Sequence, residues 1–203
     1  MSPGEGVSVR EATAGASNVL VTSPAMESAT DEVCADLFAT SGEERALFVT
    51  LADAPDDRLA ALRAHADGTD PERVGFVAAD DSARSTSGTT VECQGTRIRI
   101  ETVSSPGDLT GLGIETSSFL ARWGDDRPIR VCFHSLTTLL QYVDVERAFR
   151  FLHVLTGRFD EAGARAHFHL DPGAHEPREV NTLKPLFDAV VAFEDGEWTA
   201  RTR

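Results

Sequence analysis

Residues Ala46 to Leu59 read A-L-F-V-T-L-A-D-A-P-D-D-R-L, and this stretch decides the fold class. Ala46–Leu51 is a short, nearly continuous apolar run, the pattern of a strand buried on both faces. Pro55 follows, a residue pre-organised for the first turn of a helix. Asp56 and Asp57 place negative charge at the positive end of the helix dipole, and Leu59, Leu62 and His65 continue the helix. An apolar strand that runs through a tight turn into a helix is half of a β-α-β unit. Repeats of that unit build a parallel sheet covered by helices.

The same alternation extends in both directions. Upstream, Asn18–Ser23 (NVLVTS) reads as a buried strand. Ala29–Thr40 reads as a helix with Val33, Leu37 and Phe38 on one face, stopped at Ser41-Gly42. Downstream, Val74–Ala79 is a strand, and Asp80–Gly95, rich in Ser, Thr and Gly, is expected as an exposed loop. Arg97–Val103 alternates like a strand with one wet face. Asp108–Trp123 is a helix and Ile129–Phe133 a central strand. Asp144–Arg158 is the clearest helix: Asp144 is a good N-cap, and Val145, Ala148, Phe149, Leu152, Leu155 and Phe159 form an apolar stripe. Ala166–Leu170 is a strand, Glu179–Phe187 a helix, and Ala189–Phe193 a strand that hairpins through Asp195-Gly196 into Glu197–Arg201. Residues 1–16, small and polar, are expected as a flexible N-terminal tail before a single domain over 17–203.

Composition narrows the setting. The 203 residues hold 33 acidic and 19 basic side chains, a formal charge of −14, and Lys184 is the only lysine. An Asp/Glu-rich surface almost without lysine is the pattern of proteins that work in molar salt. At 1 M salt the Debye length is about 3 Å, so this charge neither steers nor repels partners at a distance. Phosphate contacts need clustered positive groups, and the sequence offers no Lys/Arg cluster, which argues against nucleic acid. No apolar run reaches the length of a membrane span, and the first residues lack the basic and apolar regions of a signal peptide. Three cysteines outside any C-x-x-C pair point to free thiols in a reducing cytoplasm.

In parallel sheets ligands bind beyond the carboxyl ends of the strands, here Ser23, Leu51–Asp53, Asp80, His134–Ser135 and His169–Asp171. The first strand leads into S-P-A-M-E-S-A-T, Ser23–Thr30, where a phosphate-binding P-loop would carry G-x-x-x-x-G-K-[ST]. Ser23 and Ser28 stand at the glycines, Ala29 stands at the lysine, and only Thr30 keeps its type. Glu27 adds a carboxylate where phosphate would lie.

Two further frames carry a family likeness. Ala46–Leu59 resembles the KaiC/RecA-like ATPases, in which an apolar strand ends in a pair of glutamates, then Thr-Pro and a helix. I-R-V-C-F-H-S-L-T-T-L-L, Ile129–Leu140, resembles the Walker B strand of that superfamily, which ends in Asp-Ser. The resemblance extends over nearly the whole chain and includes a group of uncharacterised haloarchaeal proteins related to KaiC. It implies a three-layer α/β/α sandwich with a mostly parallel sheet, a RecA/KaiC-like P-loop NTPase fold with a degenerate P-loop. It also implies that Ala52 and Asp53 stand where the catalytic glutamates would be, and that His134 stands at the aspartate that would hold Mg²⁺. The strand containing His167, His169 and Asp171 would lie between the first strand and the Walker B-like strand.

Phosphoryl transfer rests on positioning and charge neutralisation, and one well-placed donor is worth about 3–4 kcal/mol in a transition state. With the lysine, metal aspartate and one glutamate positions all changed, no catalytic residue and no cofactor is expected. The degenerate pocket positions are Ser23, Glu27, Ser28, Ala29, Thr30, Ala52, Asp53, His134, Ser135, His169 and Asp171. The two histidines are expected to fill the vacated pocket from below, bonded to backbone. The alternative use of His134, His169, Asp171 and His175 as metal ligands has no supporting spacing. Cys132 is expected as an inert core thiol, and Cys34 has no basic neighbour in sequence. The expected function is a non-enzymatic regulatory or interaction module with another protein as partner. A nucleotide-binding protein with weak or unconventional ATPase activity is the alternative, and a His/Asp metal enzyme the outsider. Membrane and nucleic-acid partners are not expected, and self-association stays open.

Overall fold

A computed structural model describes residues 8–24, 29–38, 44–65, 73–79, 89–93, 96–124 and 127–203. The elements in chain order are α1 (Val9–Ala12), β1 (Asn18–Thr22), α2 (Ala29–Phe38), β2 (Arg45–Thr50), α3 (Pro55–His65), β3 (Val74–Ala79) and β4 (Thr89–Cys93). They continue with β5 (Thr96–Val103), α4 (Leu109–Trp123), β6 (Ile129–His134), α5 (Leu136–Tyr142), α6 (Val145–Glu161), β7 (Arg165–Leu170), α7 (Pro177–Leu183), β8 (Ala189–Glu194) and β9 (Glu197–Thr202). The strands form one sheet in the order β4-β5-β3-β2-β6-β7-β1-β8-β9. Its interior is parallel throughout, and only the edge pairs β4–β5 and β8–β9 are antiparallel. β7 sits between β1 and β6, the order expected for the strand that carries the histidines.

Period-two alternation divides the sheet residues between two helical layers. Leu20, Val49, Val131, Phe133 and Phe168 face α4, α5, α6 and α7 in the larger core. Phe48, Phe76 and Cys132 face α2 and α3, and Val19, Val21 and Val191 continue that face. The strands are apolar on both sides because both sides are covered. Asp144 caps α6 by accepting from the Arg147 N–H at 2.8 Å, and Ala148, Leu152, Leu155 and Phe159 are buried as the stripe predicts.

Several expectations are corrected. From Ser8 onward, the segment expected as a tail belongs to the domain: Thr13 and Ala16 are buried, and α1 packs on α2 and β9. Residues 1–7 lie outside the described set. Within the expected Asp80–Gly95 loop, Thr89–Cys93 is an edge strand paired with β5; the register Val91↔Ile98 supplies the pairing that its Thr-rich composition hides. The Leu/Thr segment after His134, to which the sequence reading assigns no element, is a helix, α5, begun by Ser135, whose Oγ accepts from the Thr138 N–H at 3.2 Å. The last helix starts earlier than expected, at Pro177, and ends in a separate 3-10 turn over Lys184–Leu186. The final hairpin turns as predicted: Asp195 and Gly196 have φ of 53° and 84°, the left-handed pair that a two-residue turn demands.

Candidate functional site

The carboxyl ends of β1, β2, β6 and β7 surround a cavity of about 420 Å³. Backbone bonds hold these tips in register: the Ser23 N–H donates to the Leu170 carbonyl at 3.2 Å, and the Leu51 N–H to the His134 carbonyl at 2.9 Å. Ser23, Thr30, Asp53, His134, Ser135, His169 and Asp171 all line it. Ala52 is exposed and does not. Ala29 opens α2. Glu27 and Ser28 lie outside the described residues.

The walls are polar and mutually engaged. The Ser23 and Thr30 hydroxyls are 2.9 Å apart. His134 Nδ1 lies 2.7 Å from Asp53 Oδ2. On α3, Arg58 donates from Nη2 to Asp31 Oδ1 at 2.6 Å, and its Nε is 3.7 Å from Asp53 Oδ2. The close imidazole of His134 holds the Asp53 carboxyl below the ordinary carboxylate range; partial burial works against this and the Arg58 charge assists it. Asp171 receives the Gly173 N–H on its Oδ1 at 2.8 Å, and its own N–H donates to Thr137 Oγ1 at 2.7 Å. Among the described lining residues, Asp31, Asp53 and Asp171 face one arginine, Arg58. A polyanion entering here meets more negative charge than positive.

The expected filling of the pocket is half right. His169 is buried at the base, its ring 4.9 Å from that of His134, but the cavity above remains open. The expected backbone bonding of His169 is not seen: among the described residues neither ring nitrogen has a partner at hydrogen-bond geometry, and burial pushes its pKa down to about 4. His175 is not part of this group; its Nδ1 lies 3.9 Å from Glu179 Oε2.

Sequence reasoning missed Asp31, Arg58, Thr137 and Thr138 in the walls. It also missed what lies under the floor. Cys34 of α2 does have a basic neighbour: its Sγ is 3.2 Å from His167 Nε2 and 3.7 Å from Cys132 Sγ. The alternation of His167 and His169 was the available signal, since it sets both on the α2 side of β7, beside Cys132.

A family model described as "Family of unknown function (DUF7504)" matches residues 16–193. No curated protein matches the sequence. Among solved structures, the chain is similar to the Pyrococcus horikoshii OT3 protein of Project ID PH0250, with a TM-score of 0.61 and 11% identity over 92% of this chain and 86% of that one. It is also similar to the uncharacterized protein PH0321 from Pyrococcus horikoshii, solved in complex with an unknown peptide, with a TM-score of 0.58 and 13% identity over 91% and 81% of the two chains. At these identities the likeness is one of fold.

Proposed function

This chain belongs to DUF7504, a family of unknown function, and we propose that it is a non-catalytic KaiC/RecA-like domain that works as a protein-interaction module in a salt-rich cytoplasm. The observation that carries the reading is the His134–Asp53 pair. On the KaiC/RecA-like frame, His134 stands where a carboxylate would hold Mg²⁺, and its imidazole occupies Asp53, the one carboxylate left to polarise a water. Arg58, the lining cation, is engaged by Asp31 and Asp53. Nothing in this arrangement gathers positive charge for a γ-phosphate.

The surface that would serve such a role in this reading lies elsewhere. Between α4 and α6 runs an apolar groove of about 430 Å³, with Ile114 and Val154 more than half exposed, Phe151 along it, and Arg147, Arg150 and Arg158 at its rim. An apolar groove with an arginine rim suits an amphipathic, acidic segment of a partner. PH0321, a neighbour in fold, was solved with a peptide, which makes peptides the first probe to try.

The alternative, a nucleotide-binding protein, is favoured by the open cavity and by the Ser23–Thr30 hydroxyl pair in its wall. Calorimetry and phosphate-release assays in molar KCl separate the two. The module reading expects no binding of ATP-Mg²⁺ and no turnover, together with binding of labelled acidic amphipathic peptides that Ile114→Glu abolishes. Phosphate release that disappears in Thr30→Ala overturns it in favour of the alternative.

A further inference from the structure

Beneath the cavity floor, four side chains capable of ligating a soft metal converge from three elements. Cys34 comes down from α2. Cys132 lies on β6 and is the register partner of His167 on β7, so the two are cross-strand neighbours. His169 follows two residues on, on the same face of the strand. The thiols and both imidazoles are buried, and one donor atom from each lies within 4.8 Å of all the others.

The spacing fits a tetrahedral ion. Zn–S bonds of about 2.3 Å at the tetrahedral angle set two sulfurs about 3.8 Å apart, and Zn–N bonds of about 2.0–2.1 Å set sulfur and nitrogen about 3.6 Å apart. Cys34 Sγ and Cys132 Sγ are separated by 3.7 Å, and Cys34 Sγ and His167 Nε2 by 3.2 Å. The sulfurs are too far apart for a disulfide, which needs about 2.05 Å. Buried polar atoms are rarely left without a partner, yet among the described residues neither ring nitrogen of His169 has one at hydrogen-bond geometry. A catalytic thiol–imidazole pair would need access for a substrate, and Cys34, Cys132 and His167 are all buried.

We propose that Cys34, Cys132, His167 and His169 form a closed Cys₂His₂ metal centre that holds one Zn²⁺. Two thiolates and two imidazoles select zinc over magnesium or calcium, which prefer oxygen. Four protein ligands leave no open position, so the ion is structural. On binding, each cysteine thiol releases its proton to solvent, and the two thiolates balance the charge of the ion. The centre pins α2 to β6 and β7. It therefore fixes the helix that supplies Thr30 and Asp31 to the cavity above. This inference stands apart from the interaction reading, since it depends on neither the groove nor the absence of hydrolysis.

The test begins with protein expressed with zinc, kept reduced and purified in molar KCl without chelator. Elemental analysis should find one zinc per chain in the wild type and in Cys93→Ser, and a loss of most of it in Cys34→Ser and His169→Ala. Those two variants can fail through misfolding, so wild-type protein is also unfolded with chelator, refolded, and titrated with Co²⁺. The expected result is the intense visible band of tetrahedral Co²⁺ with a sulfur-to-cobalt charge-transfer band, saturating at one equivalent and bleached by Zn²⁺. A native-like refolded protein that shows no such spectrum overturns the proposal. So does a folded Cys34→Ser variant that keeps its full zinc.

Discussion

His134 and Asp53 meet at 2.7 Å across the tips of the adjacent parallel strands β6 and β2. Their contact ties together the carboxyl ends of two neighbouring strands at the wall of the cavity. It also has a measurable consequence in acid.

The Asp53 carboxyl is depressed in the folded protein by the neighbouring imidazole. A carboxyl of this kind contributes stability above its unfolded value, near 3.9, and loses that contribution as pH falls through the lower folded value. His134→Ala should therefore move acid unfolding to higher pH. At neutral pH it should cost about 0.5–1 kcal/mol, the range for a partly exposed pair. Circular dichroism during acid titration of both proteins in molar KCl checks this; superimposable curves would count against the pairing.

Phe168 fills the centre of the larger core, with ring centroids 5.1 Å from Phe187, 5.6 Å from Phe133 and 6.1 Å from Phe159. Phe168→Ala removes a fully buried ring where three neighbours from different elements cannot all collapse inward. Denaturant unfolding should show a loss of about 3–5 kcal/mol. A loss under 1 kcal/mol would mean that this core is looser than its burial indicates.

Gly75 in β3 lies directly under the ring of Phe119, and a Cβ there would collide with the ring edge. Phe119 is itself buried and packed against Trp123, so it has little room to retreat. Gly75→Ala should destabilise by about 1–3 kcal/mol through overpacking. An unchanged melting temperature would show that α4 can lift off the sheet.

A formal charge of −14 should make the fold dependent on salt. As ionic strength falls to 0.1 M the Debye length grows to about 10 Å, and surface carboxylates begin to repel one another over the whole domain. Melting temperature should drop steadily from molar KCl to 0.1 M. A flat profile would remove the argument for a salt-rich setting.

The interior of the sheet was legible because its strands are short apolar runs that helices cover on both faces. NVLVTS, ALFVTL and VGFVAA could belong to little else. The edges were harder. Thr89–Cys93 is polar because only β5 flanks it, and α5 is too short to show a period. Most of the cavity wall could be named from strand ends alone, since a parallel sheet concentrates its ligand-facing residues there. Asp31, Arg58, Thr137 and Thr138 enter from helices, and which helical side chains turn inward depends on packing angles that sequence does not display. The floor was least legible. Cys34 lies 98 residues from Cys132 and 133 from His167, so no spacing rule connects them. Only the placement of β7 beside β6, under α2, brings them together.

The two tryptophans fall on opposite sides of the sheet. Trp123, the last residue of α4, packs at the margin of the larger core, against Phe119 and Arg45, whereas Trp198 packs against Phe193 beside the layer formed by α1 and α2. Each layer thus carries its own intrinsic fluorophore. With Trp123 or Trp198 replaced singly by Phe, emission reports one layer at a time. Coincident unfolding curves would mark the sheet as a rigid septum that melts both layers together, and separated curves would reveal two optical phases divided by one wall.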